Sequence, residues 1–300
     1  MHLLKGISAI IFILFNCILV WIPLFFWIIQ STWTKGEKLS RLKKRMDKIV
    51  WWWTANNKRM LRWFGIIEPE VVWHDVDTMS AENWYLVICN HQTWTDIVLL
   101  QSFLYGHIPP LKFFTKEQLI WVPFIGVAMK VLGFPYVKRV TKEQIKANPE
   151  LRYADRDNTL AACAGFKNHP TAILNFVEGT RKTADKHARQ GSDFQHLLRP
   201  KVGGLGYVID GMDDYLTSLL DVTIIYPDGV PTFWEFLQGK CGSAYIEIRP
   251  HQIPAELQAD PESADGQSSS DTDRRAALAQ WIKDIWLAKD QRISQYLEAS

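Results

Sequence analysis

Trp84-Tyr85-Leu86-Val87-Ile88-Cys89-Asn90-His91-Gln92-Thr93-Trp94-Thr95-Asp96 is the stretch whose reading decides the fold. Residues 84–89 carry no charge and are rich in aromatic and β-branched side chains, the pattern of a buried strand. Asn90 to Asp96 is polar, and a second apolar run, Ile97 to Leu100, follows it. This predicts a strand, a polar corner and then a helix over Thr95 to Leu104. In an α/β protein the carboxyl end of a strand is where ligands gather. A continuous helix would set His91 and Asp96 about 140° apart around its axis. A bend between them would let the aspartate swing back to the imidazole, with Thr93 or Thr95 as the helix cap. A carboxylate on one ring nitrogen fixes the tautomer, so the other can take a proton from a hydroxyl. The plainer alternative is a histidine that caps a helix and an aspartate that is a solvated first-turn acid.

The segments around this corner alternate between strand and helix patterns. Val71 to Val76 reads as a strand before it. After it come strands at Leu111 to Thr115, Phe134 to Lys138, Thr171 to Val177, Asp221 to Tyr226 and Ala244 to Ile248. Helical patterns fill Lys116 to Leu132, Thr141 to Asn168 (broken at Pro149) and Arg274 to Leu297. The expected fold class is α/β, a central mostly parallel sheet flanked by helices. Ala255 to Thr272 is rich in Ser, Asp, Glu and Ala and reads as a mobile loop.

Two further strand ends carry chemistry. Phe176-Val177-Glu178-Gly179-Thr180-Arg181 delivers an acid, a glycine, a hydroxyl and a cation to one corner. Glycine permits close approach of a ligand, and arginine can bind a phosphate in bidentate fashion. Lys138-Arg139 closes a third apolar run. Together the three ends describe a pocket for an anionic molecule that bears a hydroxyl.

The amino end is of another kind. Ile7 to Ile29 is 23 residues without a charge. At about 1.5 Å per residue it matches a hydrocarbon core of roughly 30 Å. No small-residue cleavage site follows, so it reads as an uncleaved anchor. Lys35, Lys38, Arg41, Lys43, Lys44, Arg45 and Lys48 come after it and only Lys5 before it, which places the rest of the chain on the cytoplasmic side. A half-inserted hairpin or in-plane helix is the competing reading. Leu39 to Gly65 is a basic, tryptophan-rich amphipathic pattern that suits an anionic bilayer surface, or else packs on the domain with a solvated basic face. The expected division is therefore 1–65, anchor and interfacial helix, and 66–300, the domain with the loop at 255–272.

Composition adds few constraints. The chain has 300 residues, 47% of them apolar, and a net charge of +2, which favours no nucleic-acid partner. Its four cysteines have neither metal-like nor disulfide-like spacing, so free thiols are expected. His169, His187 and His196 also lack ligand spacing, and no metal site is expected. Gly203-Gly204-Leu205-Gly206 lacks the dinucleotide fingerprint, and no Gly-x-Ser-x-Gly elbow marks a lipase.

Asn-His-Gln-Thr-Trp-Thr-Asp resembles the NHxxxxD motif of the glycerolipid (1-acylglycerol-3-phosphate, PlsC-like) acyltransferases, and FVEGTR resembles their FPEGTR motif. GFPYVKR and DVTIIYP are similar to two further blocks in the same order, over about Trp84 to Pro227. Leu197-Leu198-Arg199-Pro200-Lys201 resembles the lysocardiolipin branch. Val177 departs from the usual proline and removes no chemical group.

The resemblance implies that His91 is a general base and Asp96 its partner. It also implies that Arg139, Glu178, Gly179 and Arg181 bind or position the acceptor, and that Thr180 lines its site. No bound cofactor is implied. An acyl-coenzyme A or acyl carrier protein thioester would be the donor, a lysophospholipid the acceptor and a bilayer the setting. Lysophosphatidic acid is the expected acceptor, with lysophosphatidylglycerol or lysocardiolipin as the alternative. A non-catalytic membrane lipid-binding protein is the rival of another class.

Overall fold

A strand with apolar side chains on both faces needs cover on both, and Trp84–Cys89 has it. The computed structural model describes residues 1–116, 120–121, 125–137, 151–258 and 269–300. Within them the helices are α1 (His2–Trp33), α2 (Gly36–Trp63), α3 (Thr95–Leu104), α4 (Ile125–Val131), α5 (Leu151–Phe166), α6 (Ala184–Gln190), α7 (Gly203–Met212), α8 (Phe233–Leu237) and α9 (Ser269–Ala299). The strands are β1 (Glu70–Trp73), β2 (Trp84–Cys89), β3 (Leu111–Phe113), β4 (Thr115–Lys116), β5 (Tyr136–Val137), β6 (Ala172–Asn175), β7 (Leu216–Ile225) and β8 (Tyr245–His251).

Six strands form one sheet in the order β1-β8-β7-β2-β6-β3. β3, β6, β2 and β7 run parallel. β8 is antiparallel to β7, and β1 runs with β8. The sheet is thus mixed and mostly parallel. Because β2, β6 and β7 point the same way, their carboxyl ends, Asn90, Phe176 and Tyr226, arrive at one edge. β4 and β5 pair apart from this sheet. The strand before Lys138-Arg139 is therefore not a third end of the main sheet. Lys138 and Arg139 themselves lie outside the described residues.

Alternation along β2 divides the core into two layers. Tyr85, Val87 and Cys89 face a cluster that includes Ala9 of α1, Met60 and Leu61 of α2, Leu99 and Leu100 of α3, and Phe236 of α8. Leu86 and Ile88 face the other way, onto Cys163 of α5, Leu205 and Val208 of α7, and Ile282 and Trp286 of α9. Helices cover both faces, as a parallel sheet requires. The run Gly203-Gly204-Leu205-Gly206 opens α7. Gly211, near the end of that helix, lies so close to Cys163 that an added β-carbon would sit 2.7 Å from the cysteine Cβ. Of the stretch read as a mobile loop, Ala255–Leu257 is a 3-10 turn anchored by buried Leu257, and α9 already begins at Ser269. Residues 259–268 are outside the described set.

α1 is docked along its length. Lys5 Nζ donates to the Gly65 carbonyl at 2.8 Å, and Gly6 lies so close to Trp234 and Gln238 that an added β-carbon would sit 2.9 Å from each. Midway, Asn16 is buried and donates to Asn57 Oδ1 at 3.0 Å, while Asn56 donates to Asn16 Oδ1 at 2.9 Å. Further on, Val20 and Leu24 pack with Leu42, Met46 and Ile49 of α2. A buried amide with its partners met in one alignment only is a register pin between the two helices. The opposite face of α1, including Ile11, Phe15, Ile18, Phe25 and Phe26, is exposed. α1 is long and apolar enough to cross a membrane by length and composition.

Candidate active site

The corner after β2 folds as a bend, and Asp96 makes it. This carboxylate is completely buried. Its Oδ2 accepts from the backbone N–H of Gln92 at 2.6 Å and of Thr93 at 2.9 Å, and from His91 Nδ1 at 2.8 Å. Its Oδ1 accepts from the Tyr226 hydroxyl at 2.8 Å. Neither threonine caps α3, contrary to the expectation from sequence. Thr93 Oγ1 donates to the Pro231 carbonyl at 2.8 Å, and Thr95 Oγ1 lies 2.9 Å from the Tyr226 hydroxyl. The carboxylate turns the orphan amides of the corner inward and so takes over the capping.

Asn90 supplies a second restraint. Its Nδ2 donates to the Ile224 carbonyl at 2.8 Å, and its Oδ1 accepts from the Ile224 amide at 2.9 Å. One side chain thus continues the β2–β7 ladder a residue beyond the strand. His91 follows with its ring stacked on Phe176, centroids 3.9 Å apart and planes 18° apart. Its side chain is 13% exposed. With Nδ1 donating to a carboxylate, Nε2 carries the lone pair, and it makes no hydrogen bond with a described residue. Buried Tyr226 is held neutral: desolvation first, and then the Asp96 charge, push its phenol far above the usual range.

The second corner follows β6. Phe176 to Gly179 is a turn closed by the Gly179 amide on the Phe176 carbonyl at 2.8 Å. Gly179 has φ +68°, a left-handed conformation that suits glycine. The two corners are tied where the Lys182 amide donates to the His91 carbonyl at 2.7 Å. Thr180 is half-buried and Arg181 exposed. Lys186 Nζ donates to Thr180 Oγ1 at 2.7 Å and to the Arg181 carbonyl at 2.9 Å. The Arg181 guanidinium lies 5.0 Å over the exposed Trp94 ring.

Glu178 does not join them. Its side chain is fully buried, its Oε1 accepts from the Leu198 amide at a long 3.4 Å, and its Oε2 has no hydrogen-bond partner among the described residues. Burial pushes its pKa up to about 8, with the Leu198 amide and the Lys289 charge acting the other way. A carboxyl kept protonated in the folded chain and ionised in the unfolded one releases fewer protons when folded. Stability therefore falls as pH rises from the ordinary carboxylate range to about 8. Glu178→Gln is expected to match wild type in thermal denaturation at pH 5 and to melt several degrees higher at pH 9. Parallel wild-type and variant curves across that interval would rule this out.

Three further histidines are tied down. His74 Nε2 is 3.1 Å from Glu247 Oε1, His187 Nε2 is 2.7 Å from the Phe194 carbonyl, and His196 Nε2 is 3.0 Å from Ser294 Oγ. No three His, Cys, Asp or Glu side chains among the described residues are grouped to hold a metal ion.

The histidine-aspartate corner, the FVEGTR turn and the end of β7 all fall within residues 70–247, which match the family model described as Acyltransferase. The chain belongs to the acyltransferase family. Within that family it is similar to lysocardiolipin acyltransferase 1 of Danio rerio, 25% identical over 226 residues, which are 71% of this chain and 52% of that protein. It is likewise 25% identical to 1-acyl-sn-glycerol-3-phosphate acyltransferase epsilon of Mus musculus over 199 residues, 57% of this chain and 51% of the relative. This acyltransferase-family chain spans about half the length of the curated relatives it matches. A solved structure, the 1-acyl-sn-glycerophosphate acyltransferase PlsC from Thermotoga maritima, aligns over 95% of this chain and 98% of its own at 17% identity and a TM-score of 0.46.

Tyr226 is the residue of this site that sequence reasoning did not single out. The available signal was its place in DVTIIYP, where a strand neighbouring β2 ends in a phenol that, once buried, must find a partner.

Proposed function

We propose that the chain transfers a fatty acyl group from a thioester to the free glycerol hydroxyl of a lysophospholipid, with His91 as general base. The observation that carries this is the Nδ1–H···Oδ2 bond of 2.8 Å between His91 and buried Asp96, which leaves Nε2 for the substrate. Nε2 takes the hydroxyl proton as the oxygen attacks the thioester carbonyl. The tetrahedral intermediate collapses, the carbon–sulfur bond breaks, and the imidazolium returns the proton to the departing thiolate. Asp96 stabilises the imidazolium between these steps and keeps the ring in one tautomer. The thioester is already activated, so no acyl-enzyme is required. Arg181, together with Arg139, which lies outside the described residues, would attract the acceptor's phosphate, and Gly179 and Thr180 would line its approach. Full burial makes Glu178 a positioning group for this corner.

The acceptor is lysophosphatidic acid, giving phosphatidic acid; the donor is acyl-coenzyme A or acyl carrier protein. A bulkier acceptor, lysophosphatidylglycerol or lysocardiolipin, is the second reading, favoured by the relatives named lysocardiolipin acyltransferase 1. The reaction takes place at a bilayer, on the cytoplasmic face. Residues 1–65 serve as the anchor: the exposed apolar face of α1 enters the lipid, and basic α2 lies at the headgroups. Docking of α1 at both ends supports an in-plane helix rather than a span.

The test is transfer of a labelled acyl group from its coenzyme A thioester, with lysophosphatidic acid and lysophosphatidylglycerol offered in competition. Phosphatidic acid as the main product is expected. Preference for lysophosphatidylglycerol would install the second reading. Failure with both acceptors, repeated with acyl carrier protein as donor, would leave a lipid-binding protein.

A further inference from the structure

Beyond the stretch matched by the family model lies α9, and it grips the active-site loop from behind. The Asp290 carboxylate accepts from the amides of Gln195 and His196, both at 2.7 Å. Trp286 Nε1 donates to the Leu198 carbonyl at 3.0 Å. Two residues of β7 hold the same stretch of helix, since Lys289 Nζ is fully buried, 2.7 Å from Asp221 Oδ1 and 2.8 Å from the Val222 carbonyl. Charge-assisted bonds to backbone amides are the stronger kind, so residues 194–198 are fixed to the helix.

What this loop carries is Lys201. Its amide donates to the Val177 carbonyl at 2.7 Å, which lays the residue against the FVEGTR turn. Its side chain crosses Gly179: a β-carbon on that glycine would meet Lys201 Cδ at 3.2 Å and Nζ at 3.3 Å. Two neighbouring cations are engaged elsewhere. Lys186 is bonded to Thr180 and the Arg181 carbonyl, and Arg199 to the Gly191 carbonyl. Lys201 is exposed and pairs with no carboxylate among the described residues. The Lys201 ammonium thus lies against the glycine of the FVEGTR turn, in the part of the chain that carries Thr180 and Arg181.

We propose that Lys201 is a further acceptor-binding residue, contacting the anionic phosphate of the lysophospholipid, and that Asp290 is the positioning residue that holds it over Gly179. This rests on the acyl-transfer reading above. A lysine is a compact point charge with three donors, suited to a phosphate whose orientation varies among headgroups.

The experiment is steady-state transfer by the full chain for wild type, Lys201→Met, Lys201→Arg and Asp290→Asn. Lysophosphatidic acid is varied at saturating acyl-coenzyme A, and then the thioester is varied at saturating acceptor. Lys201→Met is expected to raise the acceptor KM roughly tenfold or more, the size of one lost charge-assisted contact, and to leave the thioester KM unchanged. Lys201→Arg should restore most of the loss. Asp290→Asn should give a smaller rise, again confined to the acceptor. An unchanged acceptor KM in Lys201→Met, or a rise shared with the thioester, overturns the binding assignment. An Asp290→Asn variant that melts lower while its acceptor KM stays at the wild-type value overturns the positioning assignment. Wild type without transfer from either thioester removes the acyl-transfer reading, and this proposal with it.

Discussion

His91→Ala is expected to lower kcat for acyl transfer by about 10²–10⁴-fold, the range that a positioned general base supplies. The fold should survive the change. Asp96 keeps three of its four hydrogen bonds without the imidazole, and the vacated ring position lies beside Phe176 at a partly open edge. Far-ultraviolet circular dichroism should overlay that of wild type while turnover collapses. The acceptor KM should move little, because the proton is transferred only in the transition state. A variant within threefold of the wild-type kcat would eliminate His91 as the base.

Asp96 separates chemistry from architecture when two substitutions are compared. In Asp96→Asn the amide oxygen can face the three N–H groups now held by Oδ2, and the NH₂ can donate to the Tyr226 hydroxyl, which still has Thr95 Oγ1 within reach. The corner stays formed, yet the charge that would stabilise an imidazolium is gone. We expect kcat to fall by about 10²–10⁴-fold with little change in Tm. Asp96→Ala removes the acceptor altogether and leaves the Gln92 and Thr93 amides and the Tyr226 hydroxyl without it. Each unsatisfied buried group costs about 1–3 kcal/mol, so a loss of about 3 kcal/mol or more is expected. Thermal denaturation and urea titration read this directly. Equal Tm values for the two variants would refute the capping role assigned to the carboxylate.

The residues that fixed the reading of the sequence were those whose local pattern and tertiary role coincide. Trp84–Cys89 and Thr95–Leu104 appear as strand and helix at the bounds expected from their patterns, because apolar periodicity is set by the cover each element receives. The meeting of His91 with Asp96 needed only a bend, which a polar run between two apolar ones announces. What stayed hidden depends on partners far along the chain. Tyr226 reaches Asp96 across 130 positions, and Asn90 bonds Ile224 across 134. No local spacing encodes either. Glu178 read as a group that binds or positions the acceptor because of its motif, and nothing in that motif encodes its burial beside the Leu198 amide. The reversal of β8 and β1 was equally invisible, since a strand's pattern does not record its direction.

The distance in sequence between α1 and its seat has a consequence for how the protein is made. His2 contacts the Gln238 carbonyl across 236 positions, and Gly6 rests against Trp234 in α8. At about 5–20 residues per second, roughly 10 to 50 seconds pass between emergence of the first helix and emergence of the surface that receives it. Throughout that interval the side of α1 that will meet α8 is uncovered, even after α2 has emerged to pack along Val20 and Leu24. A nascent chain in this condition must be met early, by lipid or by a chaperone. Delivery to the bilayer would then precede completion of the candidate site, whose fastening at Asp290 is translated later still.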